Sequence, residues 1–247
     1  MKLTGIHPLL SYRCTDACDH CFLWSSPQAR GTMTLAQILD VLRQANALGT
    51  VGMVYFEGGE PFLFYPVMIA GLREAAALGI KAGIVTNNYW ATSVEDAVEW
   101  LRPIAEIGLE DLSLSSDLFH GEAMMMQSAQ NAMEAAHRLG LSKGVIAIEA
   151  PEGCDAYTQD GKGEPITGGP VRFRGRAVDK LTEGVPRQPW AGFTEVGLGR
   201  SWARAARQLV MRTATSEQLR IGILESLTGD GNVGGTLGRE NTVRYIM

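Results

Sequence analysis

The sequence predicts an α/β fold, a partial or full parallel (β/α) barrel with an irregular C-terminal extension. Strand-like and helix-like segments alternate over roughly the first 150 residues, as they do where parallel strands are joined by helical crossovers. The polar motifs follow the carboxyl ends of predicted strands, where barrel enzymes assemble their active sites. We therefore expect a core barrel over residues 1–194 and a divergent tail over residues 195–247, which could complete the barrel.

The predicted elements follow one another with short connections. Thr34 is expected to cap the first helix, whose apolar residues recur at helical spacing through Ala45. In chain order, we expect strands at 5–12, 51–56, 81–85, 111–115 and 144–149, helices at 65–78, 93–107 and 121–139, a loop at 151–170, a short helical stretch within 171–182, and a strand or helix at 218–226.

Composition excludes several classes of partner and location. The chain of 247 residues is 45% hydrophobic and carries a net charge of -5, so it lacks the basic excess that nucleic acids or anionic membranes attract. The N-terminus lacks the long apolar stretch of a signal peptide, and no run of about 18 apolar residues occurs. We therefore expect a cytoplasmic protein with no nucleic-acid or membrane partner.

The strongest motif is a cluster of cysteines at positions 14, 18 and 21. A reducing cytosol would not keep disulfides between such close neighbours, so the clustered thiols indicate a metal site. The spacing lets one loop direct three thiolates at one point, which leaves one iron of a four-iron cluster without a protein ligand. Two alternatives remain open: a zinc-stabilised binding module that uses His20 or Cys154 as a fourth ligand, and a non-enzymatic iron–sulfur electron carrier.

The second motif is Gly58-Gly59-Glu60-Pro61, directly after the second predicted strand. Two glycines let the backbone pass close to a ligand, and Glu60 offers an acceptor for an ammonium group. Taken alone, this pattern is also typical of an ordinary turn.

Polar residues follow the next two predicted strands as well. Thr86-Asn87-Asn88 comes after the third strand, where Asn88 is tolerant of a left-handed backbone. Ser115 and Asp117 come after the fourth strand, and Asp117 could equally cap the helix that follows. His120 and Cys154 receive no assigned role, since a lone histidine near a helix start is more often structural.

The cysteine spacing and the Gly-Gly-Glu-Pro motif about 40 residues later resemble those of the radical S-adenosylmethionine (SAM) superfamily. The resemblance implies an oxygen-sensitive 4Fe-4S cluster on Cys14, Cys18 and Cys21, whose open iron binds SAM. Reduction of the cluster would cleave SAM to methionine and a 5′-deoxyadenosyl radical, which takes a hydrogen atom from a substrate. The reaction subclass and the catalytic residues stay unassigned.

The resemblance also implies roles for the other motif residues. Glu60, with Gly58 and Gly59, would receive the methionine amine, and Ser115 and Asp117 would bind the ribose. Asn87 would line the SAM pocket. A small electron donor of the flavodoxin or ferredoxin type is the expected partner.

A weaker likeness extends through residues 169–177 and 189–190 to a branch with a cysteine-rich C-terminal segment. Such segments hold an auxiliary cluster in several peptide- and protein-modifying enzymes, so a peptide or protein substrate is favoured. No cysteine follows Cys154 here, and the tail from about residue 196 is rich in arginine and glycine. The tail is either a native single-cluster variant or the product of a frameshift or divergent gene end. Arg176 and its neighbouring arginines are interpreted as a solvated basic face.

Overall fold

A computed structural model describes residues 2–120, 123–146, 175–181 and 241–246. All described strands belong to one six-stranded sheet with the order β5-β4-β3-β2-β1-β6, and every neighbouring pair is parallel. The strands are β1 (Lys2–Ser11), β2 (Met53–Gly58), β3 (Lys81–Thr86), β4 (Asp111–Ser115), β5 (Lys143–Ile146) and β6 (Asn241–Ile246). The helices are α1 (Leu35–Ala47), α2 (Tyr65–Ala77), α3 (Val94–Ile107), α4 (Ala123–Arg138) and α5 (Arg176–Lys180), with 3₁₀ turns at Pro61–Phe64 and Leu118–His120.

This architecture confirms the predicted parallel α/β fold. The helices after β2, β3 and β4 lie within two residues of their predicted bounds, while β2 begins two residues later than expected. The predictions for residues 151–170 and 218–226 fall outside the described residues. β6, which no pattern in the sequence identified, pairs with β1 from Lys2 opposite Asn241 onward. A segment of the predicted tail is thus part of the sheet.

Local sequence signals account for the helix starts. Thr34 caps α1 through a capping box: its side chain accepts a hydrogen bond from the Gln37 N–H, and the Gln37 side chain accepts one from the Thr34 N–H. Ser93 caps α3 by accepting a hydrogen bond from the Asp96 N–H at 3.0 Å. Among the described helices, none is long and apolar enough to cross a membrane.

The outer face of the sheet is apolar and packs under the helices. Phe56, Ile84 and Leu112 project from the strands into one core with residues of α1 to α4, and all three are fully buried. Burying each such side chain contributes about 1.5–3 kcal/mol. Because strand side chains alternate between faces, the same strands expose their other residues to the inner face.

The inner face carries a buried polar network. His7 Nδ1 on β1 lies 2.6 Å from Glu57 Oε1 on β2, and the imidazole stacks on Tyr55 with ring centroids 5.0 Å apart. A Cβ at Gly83 on β3 would overlap the Tyr55 ring, so this glycine lets Tyr55 lie across β3. Tyr55 thereby reaches a hydrogen bond with Asp111 on β4. The two faces of the sheet are therefore chemically distinct, as in a barrel whose interior is functional.

Candidate functional site at the carboxyl ends of the strands

The three clustered cysteines lie in the long connection between β1 and α1. Cys14 is buried, and its N–H donates to the Ser26 carbonyl at 3.1 Å. The Cys21 N–H donates to the Cys18 carbonyl at 3.0 Å, which folds the second half of the motif into a turn. All three thiols are free of disulfides. The strand end and these backbone bonds bring the three side chains into one loop at the end of the sheet.

The surroundings of the thiols favour a cationic metal centre. Burial raises the pKa of Cys14 to about 11 and that of Cys18 to about 12, and the neighbouring thiol and carboxyl groups add to both increases. Thiolates at these positions therefore need a positive centre. N–H groups already face two of the sulfurs: Asn87 Nδ2 lies 3.6 Å from Cys14 Sγ, and the Ser25 N–H donates to Cys21 Sγ at 3.3 Å. Such bonds are typical of sulfur ligands in iron–sulfur proteins.

The cysteines are not grouped around a single ion. Among the described residues, the ligand atoms that converge closely enough for one ion belong to His20, Asp117 and His120, which lie within 4.8 Å of one another. The three sulfurs form no such group. This arrangement does not favour the zinc alternative and is compatible with a larger, multi-iron centre.

Gly58 and Gly59 bring the end of β2 against the entrance of the cysteine loop. Gly58 has φ +129, and a Cβ there would lie 2.6 Å from the Ser11 carbonyl oxygen; a Cβ on Gly59 would overlap the backbone of Arg13. The Gly59 N–H donates to the Ser11 carbonyl at 2.6 Å, and the Glu60 N–H donates to the Arg13 carbonyl at 2.9 Å. We expected the glycines to admit a ligand, and the structure shows that they admit the neighbouring backbone.

Glu60 is fully buried and joins the ends of β2 and β3. Its Oε1 accepts hydrogen bonds from the Phe62 N–H at 3.0 Å and the Thr86 hydroxyl at 2.9 Å, and its Oε2 accepts one from the Asn87 N–H at 2.8 Å. Burial raises the pKa of Glu60 to about 7, against the opposing effect of these hydrogen bonds. The carboxylate is thus a junction of the site, a role that the motif alone did not indicate.

Asn87 connects β3 to the cysteine loop. Its Nδ2 lies 2.6 Å from Thr15 Oγ1 and 2.8 Å from Asp16 Oδ2, in addition to its contact with Cys14. The next residue, Asn88, adopts φ 66, as the sequence led us to expect, and its Nδ2 donates to the Ser115 carbonyl at 2.6 Å. The two asparagines therefore link the end of β3 to the cysteine loop on one side and to β4 on the other.

Asp117 lies beside two histidines at the end of β4. Its Oδ1 accepts a hydrogen bond from the Phe119 N–H at 2.9 Å and lies 2.8 Å from His120 Nδ1. His20, from the cysteine loop, packs its ring 4.9 Å from that of His120. Asp117 thus caps the 3₁₀ turn and orients His120, while Ser115 is half-buried one turn earlier. The structure brings every predicted site residue to the same edge of the sheet.

Arg176 was not expected at this site. It is only 7% exposed, so its interpretation as part of a solvated face was wrong, while Arg172 and Arg174 lie outside the described residues. Thr86 was also missed as a supporting residue: its hydroxyl binds Glu60 and accepts a hydrogen bond from Trp90 Nε1 at 2.9 Å. The Thr-Asn-Asn sequence after β3 was the available signal for Thr86.

The chain belongs to the radical SAM superfamily, whose family model matches residues 9–147. It is therefore an enzyme of the radical SAM type, and the family implies an iron–sulfur cluster and SAM as cofactors. The match covers β1 to β5 and all the strand-end motifs described above.

Two curated proteins show detectable sequence similarity. One is YydG of Bacillus subtilis (strain 168), which is named for peptide biosynthesis: it is 25% identical over 125 residues, covering 51% of this chain and 39% of YydG. The other is the tungsten-containing aldehyde ferredoxin oxidoreductase cofactor-modifying protein of Pyrococcus furiosus, 29% identical over 131 residues, covering 53% of this chain and 33% of that protein. The chain thus spans well under half the length of these relatives.

Solved structures show the same fold at low similarity. BtrN, in complex with AdoMet and 2-DOIA, has a TM-score of 0.44 and 16% identity, covering 60% of this chain and 56% of BtrN. SuiB of Streptococcus suis, bound to S-adenosylmethionine, has a TM-score of 0.40 and 12% identity, covering 86% of this chain and 49% of SuiB.

The site also carries polar atoms that a ligand would satisfy. His20 Nδ1 and Asn88 Oδ1 are buried and have no hydrogen-bond partner among the described residues. Buried polar atoms are seldom left unpaired in a native protein. Together with the three thiols, these atoms fit a site that holds an iron–sulfur centre and a polar molecule beside it.

Proposed function

We propose that this protein reductively cleaves SAM at a 4Fe-4S cluster held by Cys14, Cys18 and Cys21, and that the resulting radical abstracts hydrogen from a peptide or protein. The observation that carries the proposal is the meeting of the cysteine loop with Glu60 and Asn87 at the ends of β2 and β3. When bound, the cluster supplies the electron that cleaves SAM. The protein contributes position and the exclusion of competing reactions.

The chain's own residues divide this task. Asn87 fixes the cysteine loop relative to β3, and Gly58 and Gly59 let β2 approach the same loop. We propose that Glu60 receives the amine of SAM, because three donors already hold its carboxylate in place and its second oxygen accepts only one of their bonds. Ser115 and Asp117 are proposed to contact the ribose, from the end of β4.

The similarity to YydG supports a peptide or protein substrate. A flavodoxin- or ferredoxin-type protein is the proposed electron donor, and the cytoplasm the proposed location. These proposals concern a chain that spans only part of its relatives, so each requires its own test.

The first test is formation of 5′-deoxyadenosine by anaerobically reconstituted protein supplied with dithionite and SAM. We expect a brown protein that forms it, while Cys18→Ala forms none and Cys154→Ala, which changes a cysteine outside the motif, retains the activity. A brown wild-type protein without this product would favour the electron carrier. A colourless protein that holds zinc would favour the binding module.

The substrate class can be tested by isotope transfer. A deuterated cell extract is separated into a peptide and protein fraction and a small-molecule fraction, and each is incubated with the reconstituted enzyme and unlabelled SAM. Deuterium in the 5′-deoxyadenosine is expected only with the peptide and protein fraction. Deuterium transferred only from the small-molecule fraction would contradict the proposed substrate class and leave SAM cleavage intact.

A further inference from the structure

Arg176, at the start of α5, is bonded to the cysteine loop at three points. Its backbone N–H donates to the Cys21 carbonyl at 2.8 Å. Its guanidinium donates from Nη1 to the Cys18 carbonyl at 2.7 Å and from Nη2 to the Ser25 carbonyl at 2.5 Å. One residue far along the chain therefore holds the carbonyl groups of two motif cysteines.

The surroundings of Arg176 are shaped to receive it. Gly175 has φ +57, and a Cβ there would overlap the carbonyl of Phe22, so the chain approaches the loop closely only with glycine at this position. Trp24 adopts φ 59, a conformation uncommon for a bulky residue, and its ring centroid lies 5.7 Å from Arg176 Cζ. The guanidinium is thus enclosed between the loop backbone and an aromatic ring.

The charge of Arg176 has no carboxylate partner in the part of the chain that the structure describes. None of the ion pairs there includes it, and its hydrogen-bond partners are neutral carbonyl groups. A guanidinium stays charged under all ordinary conditions, and burying a charge is unfavourable unless an opposite charge lies nearby. The thiolates of Cys18 and Cys21 belong to the very residues whose carbonyls it binds.

We propose that Arg176 is a positioning residue of the iron–sulfur site, and that its fixed positive charge raises the reduction potential of the cluster; this inference rests on the proposed function. When the cluster takes one electron from an external donor such as dithionite, its charge becomes more negative by one. A nearby buried cation stabilises the more negative state because the low-dielectric surroundings screen it poorly. Removing the charge should therefore make the cluster harder to reduce.

The test compares the midpoint potential of the reconstituted wild type with those of Arg176→Met, which removes the charge, and Arg176→Lys, which keeps it. Arg102→Met is the matched control, because Arg102 is exposed on α3 and pairs with Glu99. Each protein is poised anaerobically over a range of potentials, and the reduced cluster is measured by electron paramagnetic resonance. We expect Arg176→Met to titrate at a more negative potential, and Arg176→Lys and Arg102→Met to stay close to the wild type.

Each outcome decides the matter. A wild-type potential in Arg176→Met overturns the proposal, as does an equal negative displacement in the Lys and Met variants, since charge would then not be the cause. If Arg176→Met takes up no iron, retention of the cluster by Arg176→Lys supports the proposal and its loss there overturns it. Iron and sulfide in the wild type report separately on the proposed function, because they do not depend on the comparison between variants.

Discussion

The buried carboxyl group of Glu60 should make the stability of the protein depend on pH in a way that Glu60→Gln abolishes. Glu60 is fully buried, and burial raises its pKa from 4.5 to about 7. In the unfolded chain the same group returns to its ordinary pKa. The folded protein therefore retains a proton on Glu60 over a pH range in which the unfolded chain has lost it.

The sign and size of the effect follow from this difference. Where the folded state binds more protons than the unfolded state, the free energy of unfolding decreases as the pH rises. Each pH unit between the two pKa values corresponds to 1.36 kcal/mol, so the interval from 4.5 to about 7 amounts to about 3 kcal/mol. The contribution of Glu60 is fully present below pH 4.5 and is lost as the pH rises through about 7.

The measurement is urea unfolding of the metal-free, reduced protein at intervals from about pH 4 to pH 8. The wild type should lose about 3 kcal/mol relative to Glu60→Gln across this range, since glutamine does not ionise. Glu106→Gln controls for the loss of a carboxylate at an exposed position on α3. Parallel pH profiles for the wild type and Glu60→Gln would refute the reasoning, whatever the absolute difference in stability between them.

Three further predictions concern the rest of the site. Cys18→Ala should lose the bound iron and keep its far-ultraviolet circular dichroism, because Cys18 lies outside the apolar core; a variant with the full iron content would contradict the ligand assignment. Asn87→Ala should lower the free energy of unfolding by about 1–3 kcal/mol through loss of its bonds to Thr15 and Asp16, and an unchanged urea midpoint would show that those bonds do not hold the loop. Gly59→Ala should destabilise the protein by about 1–3 kcal/mol through overlap with the Arg13 backbone, whereas Gly52→Ala, which meets nothing within 4 Å, should not; equal unfolding midpoints would exclude a close approach at Gly59.

The sequence indicated those parts of the site that depend on short-range spacing. Cys14, Cys18 and Cys21 could be assigned as a group because their spacing is contained in one loop. The left-handed backbone of Asn88 could be anticipated because few residue types tolerate it. The alternation of elements predicted the parallel sheet in the same way, from the local periodicity of apolar residues.

Other features depend on contacts between distant segments. Glu60 was expected to face a ligand, and only the adjacency of β2 and β3 explains why Thr86 and Asn87 donate to it. Arg176 was assigned to the surface because arginine is seldom fully buried. Its burial depends on carbonyl groups of Cys18 and Ser25, more than 150 residues earlier in the chain. No local pattern in the sequence encodes such a contact.

The substrate has to be recognised by residues outside the cofactor motifs, since one superfamily scaffold supports many reactions. The inner face of the sheet is the part of the described structure that apolar packing under the helices does not explain. His7 and Glu57 form a close buried pair there, and Tyr55 spans β3 to reach Asp111. Glu57 directly precedes Gly58, so this polar network adjoins the cofactor motif along the same strand. A buried ionisable pair is seldom worth more to stability than apolar residues of the same volume, and recognition of a polar substrate gives a reason for one at this position.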